Sequence, residues 1–475
     1  MKKIIALGLV ASVSLAHAQT RPAVANPSID DKSVSLATPF GSYQKLFSAN
    51  SLWNSYPVNP VFGTFQIPAT TWNPVVAKGA YSSGIFEAKA TDAPMVIYPH
   101  DNKISVRDPD AETSLPSITI PHWPADTLGA TGSDGHADIV DASTGKIYSI
   151  YQLKKSATTG KWTASMVAWT PLNGSGWGDP AHYYQGARAA AVPTSGGMIR
   201  IAEVDDGKDL YEHALAMSLD YTGLAPAPNH YIFPATSGDT TNPNKANTGL
   251  IPEGARMMLP PGFDLSTITD ARLLKVARTL MKYGAYVVDR NDNTPFVIYV
   301  ENGASWASSP ASQLNLVRQA LRQVVSQSGF INGSGAMRRP EPLVNLMSLR
   351  GNWMITQGSG TPAVFDTYTQ SVVWSGTTTL MRHANYANGA FGRVKGTAPS
   401  APKRYRLSVT ATGGAKLSMT LRVNNVVQLT TPLLGNGQSV DVLWPAGATY
   451  YMNAEKPAGG PASLKASFIE LPAGQ

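Results

Sequence analysis

A histidine and an aspartate near the middle of the chain have the spacing of an acid–base pair. His136 and Asp138 lie within 132–141, where an apolar run predicts a strand over 136–140. Side chains two positions apart on a strand project from the same face. A carboxylate that orients a histidine gives a general base, and the same pair could supply two metal ligands. The alternative is a hydrogen-bonded set that only stabilises a turn.

A second segment, residues 169–203, mixes aromatic rings with hydrogen-bonding side chains. Its candidates for contact with a ligand are Trp177, His182, Tyr183, Tyr184, Gln185 and Arg188. This mixture suits a sugar, which has an apolar ring face and a polar rim. Arg188 could hold a carboxylate through its planar fork of N–H groups. The alternative is a long surface loop whose rings cover the edge of a sheet.

Three further charged or titratable residues are candidates for a substrate site. Glu203 and His213 flank a turn at 205–207 and could meet across a hairpin, while Arg256 supplies another buried or substrate-facing cation. A solvated cross-strand ion pair is the alternative for Glu203 and His213.

Short strands must position these side chains. Alternating runs separated by Gly, Pro, Asn and Asp occur at Ala93–Tyr98, Ala137–Val140, Lys146–Tyr151, Ser165–Trp169 and Met198–Val204. Helical crossovers are missing between most of them. The pattern predicts a mainly β protein with a few packing helices, built on a β-sandwich or barrel-like catalytic body over 46–360.

Two helices are predicted within that body, and both are interpreted as packing elements. Apolar spacing marks the first near 268–283, and the second near 310–328 has Ser309 as its N-cap and Pro310 at its first position. Between them, strands at 285–289 and 296–301 flank an Asn/Asp turn, which predicts a hairpin.

The C-terminal part alternates apolar and polar residues strictly. Inward-facing positions are predicted at Tyr405, Leu407, Val409, Leu417, Met419, Leu421, Val423, Leu464, Ala466 and Phe468. The pattern favours a small antiparallel β-sandwich over 365–475, with carbohydrate binding as one function that such a module could have.

The N-terminus and the composition limit the compartment and the chemistry. Residues 1–18 have the charge and apolar pattern of a signal peptide with cleavage near Ala18, which predicts a secreted or periplasmic protein, and 19–45 is expected to be a linker or strap. Removing two Lys with the signal lowers the net charge from +7 to +5, too little for a nucleic-acid partner. The mature sequence has no apolar run long enough for a membrane span. The absence of Cys excludes thiol catalysis and Cys-ligated zinc.

Several short blocks resemble a loosely defined group of secreted bacterial proteins of mostly unassigned activity, whose layout is similar to that of polysaccharide-degrading enzymes. The blocks are Ser51-Leu52-Trp53-Asn54, Ser133-Asp134-Gly135-His136-Ala137-Asp138, Gly186-Ala187-Arg188-Ala189-Ala190, Gly197-Met198-Ile199-Arg200 and Lys282-Tyr283-Gly284. The resemblance spans about residues 48–301 and implies an extracytoplasmic, polysaccharide-acting protein without assigning catalytic residues.

These observations favour an enzyme that cleaves a uronic-acid-containing polysaccharide by β-elimination. That reaction needs a group to neutralise the carboxylate, a base and an acid. Arg188 is the expected neutraliser, His136 or His213 the base, and Tyr183 or Tyr184 the acid. Substrate contacts are expected from Trp177, His182, Gln185, Arg256, Asp138 and Glu203.

Two alternatives to the lyase stay open. One is a glycoside hydrolase that uses two of the carboxylates of Asp134, Asp138, Asp179 and Glu203. The other is a non-catalytic carbohydrate-binding or cell-envelope protein. The sequence predicts no cofactor and assigns no metal ligands, while a divalent metal stays open; it does not fix the oligomeric state.

Overall fold

The computed structural model describes residues 38–100, 103–109, 113–178, 182, 184–239, 241–242, 245–339, 349, 353–366, 369–377, 381–385 and 402–471. The signal peptide expected at 1–18 and most of the strap expected at 19–45 lie outside these ranges, as do Asp179 and Tyr183. No helix in the described part is long and apolar enough to cross a membrane.

The described residues contain 32 strands and two α-helices, so the predicted mainly β class is confirmed. The strands before residue 172 are β1 (Tyr56–Val58), β2 (Val61–Phe62), β3 (Val75–Ala77), β4 (Gly84–Ala88), β5 (Met95–Pro99), β6 (Val106–Asp108), β7 (Thr113–Leu115), β8 (Ile118–Ile120), β9 (Ala137–Asp141), β10 (Lys146–Tyr151), β11 (Lys154–Lys155), β12 (Trp162–Ala164) and β13 (Met166–Pro171). The middle of the chain contains β14 (Leu215–Asp220), β15 (Thr241–Asn242), β16 (Lys245–Ala246), β17 (Arg256–Met258), α1 (Ala271–Lys282), β18 (Ala285–Asn291), β19 (Phe296–Tyr299), α2 (Ala311–Ala320), β20 (Arg322–Ser326), β21 (Gly329–Ile331) and β22 (Met337–Arg338). The C-terminal strands are β23 (Trp353–Gln357), β24 (Val364–Asp366), β25 (Ser371–Trp374), β26 (Met381–Asn385), β27 (Lys403–Thr412), β28 (Lys416–Val423), β29 (Val426–Thr430), β30 (Ser439–Trp444), β31 (Thr449–Lys456) and β32 (Ala462–Glu470).

A seven-stranded sheet with the order β2-β20-β17-β18-β14-β19-β3 forms the centre of the body. Alternate residues of its strands enter different cores, because side chains alternate across a sheet. On β14, Leu215 and Met217 pack with helices α1 and α2, whereas Ala216 faces the other side with Trp53 and Trp177.

A six-stranded sheet, β4-β9-β10-β13-β6-β7, covers that second side. Val140 on β9 and Ile147 on β10 enter the core shared with the seven-stranded sheet. Their neighbours Ile139 and Tyr148 enter another core, with strands of the four-stranded sheet β11-β12-β5-β8. The body is therefore layered, and no sheet in the described part closes into a barrel.

Helix α1 forms where the sequence predicts it, and α2 is shorter than predicted. The Asp270 side chain caps α1 by accepting a hydrogen bond from the Leu273 amide at 2.8 Å. Helix α2 has Pro310 as its N-cap rather than Ser309, and the backbone leaves the helix at Leu321. The expected helical residue Val324 belongs to β20 instead, since the segment pairs with β17 and β2 and completes the central sheet.

Two other local predictions are wrong. The strands β18 and β19 do not form a hairpin, because β14 lies between them and pairs with both. The run expected as a strand at Met198–Val204 has a single bridge at Ile199 and then a 3-10 turn over Ile201–Glu203. In that turn the Arg200 and Ile201 amides donate to the carboxylates of Glu203 and Glu301, which replaces strand pairing.

The C-terminal strands form two five-stranded sheets around one core. Their orders are β23-β26-β31-β28-β29 and β24-β25-β32-β27-β30. The alternation predicted on β27 is present, with Tyr405, Leu407 and Val409 buried. The core starts earlier than residue 365, because Trp353 on β23 is part of it.

Leu407 and Leu443 offer a matched test of this sandwich core. They lie on the paired strands β27 and β30, but Leu407 is fully buried and Leu443 is 60% exposed. We expect Leu407→Ala to lower the free energy of unfolding by about 2–5 kcal/mol through lost burial and a new cavity. Leu443→Ala should change it by less than about 0.5 kcal/mol. Equal effects in urea denaturation would contradict the assigned core.

Candidate functional site

A cavity of about 900 Å³ opens between the seven-stranded and six-stranded sheets. One wall comes from β3, β14, β18 and β19, and the other from β6, β10, β13 and the residues before β9. Its titratable lining residues are Lys78, Tyr81, Arg107, Asp134, His136, Tyr151, Tyr184, Arg188, Asp239, Asp289, Arg290, Asp292 and Tyr299. The cavity therefore brings together His136, Arg188 and Tyr184, three of the residues that the sequence assigns to the lyase reaction.

Arg188 is held rigidly in this cavity and is 2% exposed. Its Nη1 donates to a carboxylate oxygen of Asp289 at 3.0 Å and to the carbonyl of Tyr81 at 3.2 Å. The guanidinium lies over the ring of Tyr299 at 3.8 Å. Its Nη2 has no hydrogen-bond partner among the described residues. The Nη2 amino group of this buried cation is thus unpaired within the described residues, in a side chain that lines the cavity.

The loop that carries Arg188 folds back on itself. The Arg188 amide donates to the carbonyl of Val192, and the Ala191 amide donates to the carbonyl of Arg188. Gly186 makes this possible, since a Cβ at that position would lie 1.9 Å from the carbonyl carbon of Val192. The Ala190 amide then donates to the carbonyl of Val288, which ties the loop to the central sheet.

A β-bulge places Asp289 opposite this loop. Along the β14–β18 ladder, Met217 pairs with Val287 and Ser218 pairs with Asp289, so Val288 is the extra residue. A bulge redirects the side chains that follow it. Asp289 lies at the Arg188 guanidinium as a result. Burial and the negative charges of Asp239 and Asp134 raise its pKa to about 7, against the opposing effect of Arg188.

His136 is a neutral base in this setting. It is 2% exposed, and its Nδ1 has no hydrogen-bond partner among the described residues. Burial, together with the nearby positive charge of Arg188, holds the pKa of His136 well below the ordinary value of 6.5. The imidazole therefore stays uncharged at neutral pH and can accept a proton.

A group of acidic residues extends behind Asp289. The Asp239 amide donates to Glu253 Oε1 at 3.1 Å, while Glu253 Oε2 has no hydrogen-bond partner among the described residues. Burial is the main cause that raises the pKa of Glu253 well above 4.5, and the charges of Asp239 and Asp289 add to it. Burial also raises the pKa of Asp239. Burial therefore favours the protonated form of both carboxyl groups.

Four tyrosines line the cavity, namely Tyr81, Tyr151, Tyr184 and Tyr299. Burial raises the pKa of Tyr184 to about 12, and it also raises the pKa of Tyr151 and of Tyr299. All three are protonated at neutral pH and can act as proton donors. Tyr183, the other expected acid, lies outside the described residues.

Asp138 lies away from the cavity, although it follows His136 by two positions. Its Oδ2 accepts the Ser195 amide at 2.7 Å, and the side chain is fully buried. Burial raises its pKa against the hydrogen bonds from Ser195, Ser149 and Thr194. Asp138 fastens the 193–198 turn to β9, and the predicted hydrogen-bonded pair with His136 is absent from the described contacts.

Glu203 and His213 meet as anticipated but form a separate site. His213 Nε2 lies 3.2 Å from a Glu203 oxygen, and Nδ1 lies 2.9 Å from the carbonyl of Ala214. Burial lowers the pKa of His213, but the adjacent Glu203 carboxylate and the hydrogen bonds outweigh it, so the net shift is upward. Neither residue lines the cavity.

The aromatic segment is mostly core rather than cavity lining. Trp177 stacks on Trp53 with ring centroids 4.6 Å apart, and His182 packs on Trp169 at 4.1 Å. Gln185 accepts a hydrogen bond from Thr170 and donates to the carbonyl of His182. None of Trp177, His182 and Gln185 lines the cavity.

Arg256 is also placed in the core. Its Nη atoms donate to the carbonyls of Leu52, Ser55 and Tyr283, and Nη2 also donates to the Tyr286 hydroxyl. The side chain is 5% exposed. These bonds join the N-terminal segment to the central sheet and leave Arg256 outside the cavity lining.

The sequence reading missed Asp289 and Tyr299, which contact Arg188 directly. The signal for Asp289 is an acidic residue at the end of the apolar run Ala285–Val288, and Tyr299 similarly ends the run from Phe296. In the part of the chain that the structure describes, no group of three or more His, Asp or Glu residues is arranged to hold a metal ion.

No protein-family model matches the sequence, and no curated protein is significantly similar to it. Limited similarity exists to solved structures over about a quarter of the chain. The Glycosylation Associate Protein (Gap123) complex from Streptococcus agalactiae has 11% identity and a TM-score of 0.19; the match covers 28% of this chain and 46% of that one. A structure described as "CBM4 structure and function" has 14% identity, a TM-score of 0.16 and coverage of 25% and 95%. A mutant of CBM29-2, a family 29 carbohydrate-binding module, has 9% identity, a TM-score of 0.16 and coverage of 28% and 92%. Scores this low indicate neither a shared overall fold nor a shared function.

Gly186→Ala tests whether the Arg188 loop depends on the close approach of its backbone. The added Cβ would overlap the carbonyl group of Val192, so we expect a loss of about 1–3 kcal/mol in the free energy of unfolding. Gly262→Ala is the control, because nothing lies within 4 Å of its added Cβ. Denaturant titration of both variants measures the difference, and similar stabilities would contradict the tight loop.

Glu253→Gln tests the buried carboxyl group through pH. Because the folded-state pKa is raised, the unfolded chain loses the Glu253 proton first, near pH 4.5, and this group makes folding less favourable as pH rises. The variant should gain stability over the parent from about pH 5 upward, by at most about 1.4 kcal/mol per pH unit. Glu212→Gln should show the opposite and smaller trend, because Lys208 lowers the pKa of Glu212 at the surface. Urea unfolding between pH 4 and 8 distinguishes the two signs.

Proposed function

We propose that the protein is a secreted polysaccharide lyase that cleaves a uronic-acid-containing polymer by β-elimination in this cavity. The observation that supports it most directly is that Arg188 and neutral His136 line one cavity, where buried Arg188 Nη2 and buried His136 Nδ1 have no hydrogen-bond partner among the described residues. A cation and a neutral base side by side match a substrate in which the acidic C–H bond lies next to a carboxylate.

Arg188 neutralises the substrate carboxylate and stabilises the negative charge that develops there. His136 takes the proton from the carbon next to the carboxylate, and the electron pair of that C–H bond forms a carbon–carbon double bond. The bond to the glycosidic oxygen breaks as the double bond forms. Tyr184 donates its proton to the leaving oxygen, so the products are an unsaturated uronate and a new sugar end.

The positions of His213 and Tyr299 decide which histidine is the base and which tyrosine is the acid in this proposal. His213 lies outside the cavity lining and pairs with Glu203, so His136 is the base in this proposal. Tyr299 lies against Arg188 and belongs to its support, while Tyr184, which also lines the cavity, is the donor in this proposal.

A glycoside hydrolase is the second candidate, and the acidic residues of the cavity favour it. Asp134, Asp239 and Asp289 line the same space. A carboxyl group with a pKa near 7, such as Asp289, can act as a general acid while a second carboxylate acts as base or nucleophile. In this reaction the cleaved polymer would carry new reducing ends without a double bond.

Assays on polygalacturonate, alginate and hyaluronan test the two reactions. We expect new ultraviolet absorbance from unsaturated uronate with at least one of them. His136→Gln should reduce the initial rate by about a hundredfold or more, since it removes the base. Because the pKa of His136 lies well below 6.5, the parent rate should persist in mildly acidic buffer.

His122→Gln is the matched control, because His122 binds Asp141 away from the cavity lining. Its rate should equal that of the parent, and melting temperatures of both variants should show that they are folded. Reducing ends without absorbance, abolished by Asp289→Asn, would replace the lyase with the hydrolase. Full activity of folded His136→Gln would overturn the assigned base.

A further inference from the structure

Two aromatic side chains stand out by their exposure. Trp72 is 64% exposed and Tyr81 is 58% exposed, the highest values for large aromatic side chains in the part of the chain that the structure describes. The other tryptophans that it describes are buried or half-buried. Scattered apolar residues on a surface are ordinary, but Tyr81 lines the cavity, and the Trp72 backbone is bonded to Asn293, which lies between two lining residues in sequence.

Tyr81 is part of the cavity wall and is fixed through its backbone. Its carbonyl accepts the hydrogen bond from Arg188 Nη1, and the neighbouring carbonyl of Ala80 accepts one from the Gly132 amide. The ring is thus presented to solvent by a segment that the buried cation holds in place. Little conformational freedom of the backbone would be lost when a ligand contacts it.

Trp72 is anchored at the edge of the same cavity. Its amide donates to the carbonyl of Asn293 at 2.9 Å, and the Thr70 hydroxyl donates to the same oxygen. The two neighbours of Asn293 in sequence, Asp292 and Thr294, line the cavity. Asn293 is itself fixed, because its amide donates to Asp220 at 2.6 Å. The exposed Trp72 side chain is therefore carried by backbone that is fixed to the segment 292–294, whose two end residues line the cavity.

We propose that Trp72 and Tyr81 are stacking subsites for sugar rings of a polysaccharide chain that continues beyond the cavity. The C–H face of a pyranose packs on an aromatic ring, and the chain's hydroxyl groups remain in water. A single sugar or a disaccharide in the cavity would reach Tyr81 at most, whereas a longer chain also reaches Trp72. The inference rests on the proposed function for the class of ligand and adds that the protein recognises an extended polymer.

Binding of a chain-length series tests this proposal. The probes are polygalacturonate, alginate and hyaluronan and the disaccharide, tetrasaccharide and hexasaccharide derived from each, titrated calorimetrically into the parent, Trp72→Ala, Tyr81→Ala and Trp72→Phe. All of the titrated proteins also carry His136→Gln, so that the probes are bound and not cleaved. We expect the parent to bind at least one polymer, with affinity rising with chain length.

The expected result is a loss of about tenfold in affinity for the polymer in each alanine variant, with disaccharide affinity changed less than twofold in Trp72→Ala. Trp72→Phe should keep most of the affinity, because an aromatic face remains. Both residues are exposed, so melting temperatures should stay at the parent value. Unchanged polymer affinity in both alanine variants, equal losses for disaccharide and polymer in Trp72→Ala, or no binding of any probe would overturn the inference.

The outcomes separate this inference from the lyase proposal. Chain-length-dependent binding that requires Trp72 and Tyr81, without any unsaturated product from the active parent, would leave the stacking subsites and remove the lyase. Unsaturated product with affinity that is independent of both rings would leave the lyase and remove the subsites.

Discussion

The buried guanidinium of Arg188 is the interaction on which the cavity depends. It joins three segments that are distant in sequence, since it donates to the carbonyl of Tyr81 and the carboxylate of Asp289 and lies on the ring of Tyr299. A buried cation is costly unless it is paired and hydrogen-bonded. The strands β18 and β19 are therefore constrained to supply Asp289 and Tyr299, the segment before β4 to supply the Tyr81 carbonyl, and the loop around Gly186 to position the cation.

Burial shifts the pKa values of the titratable groups around that cation. It raises the pKa of Asp289 and Glu253 and lowers the pKa of His136, so acids and a base in one region are shifted toward their uncharged forms. Titratable groups whose environments push their pKa values in opposite directions are typical of acid–base catalysis. The Glu203–His213 pair shows the contrasting case, in which each partner stabilises the charged form of the other.

Sequence patterns predicted which segments form strands and helices better than they predicted which strands pair with each other. Alternation on β27 and the Asp270-capped helix α1 are local features, and both formed as the residue types indicate. The pairing of β14 between β18 and β19 depends on distant segments, and so does the conversion of residues 322–326 into a strand. The sequence did not indicate a role for Asp289, because the bulge at Val288 that turns it toward Arg188 forms only when β18 pairs with β14. Arg256 has the same residue type as Arg188 but is enclosed by carbonyl groups that its sequence neighbours do not reveal.

The contact between Arg188 and Asp289 also makes ligand binding depend on pH and on the buffer. An anionic group placed at the free Nη2 of Arg188 would add negative charge beside a carboxyl group that already titrates near neutrality. The pKa of Asp289 would rise further, so binding near pH 7 would take up a proton. The heat measured for such a complex would then include the ionisation enthalpy of the buffer, and its magnitude would differ between buffers while the intrinsic contacts stayed the same.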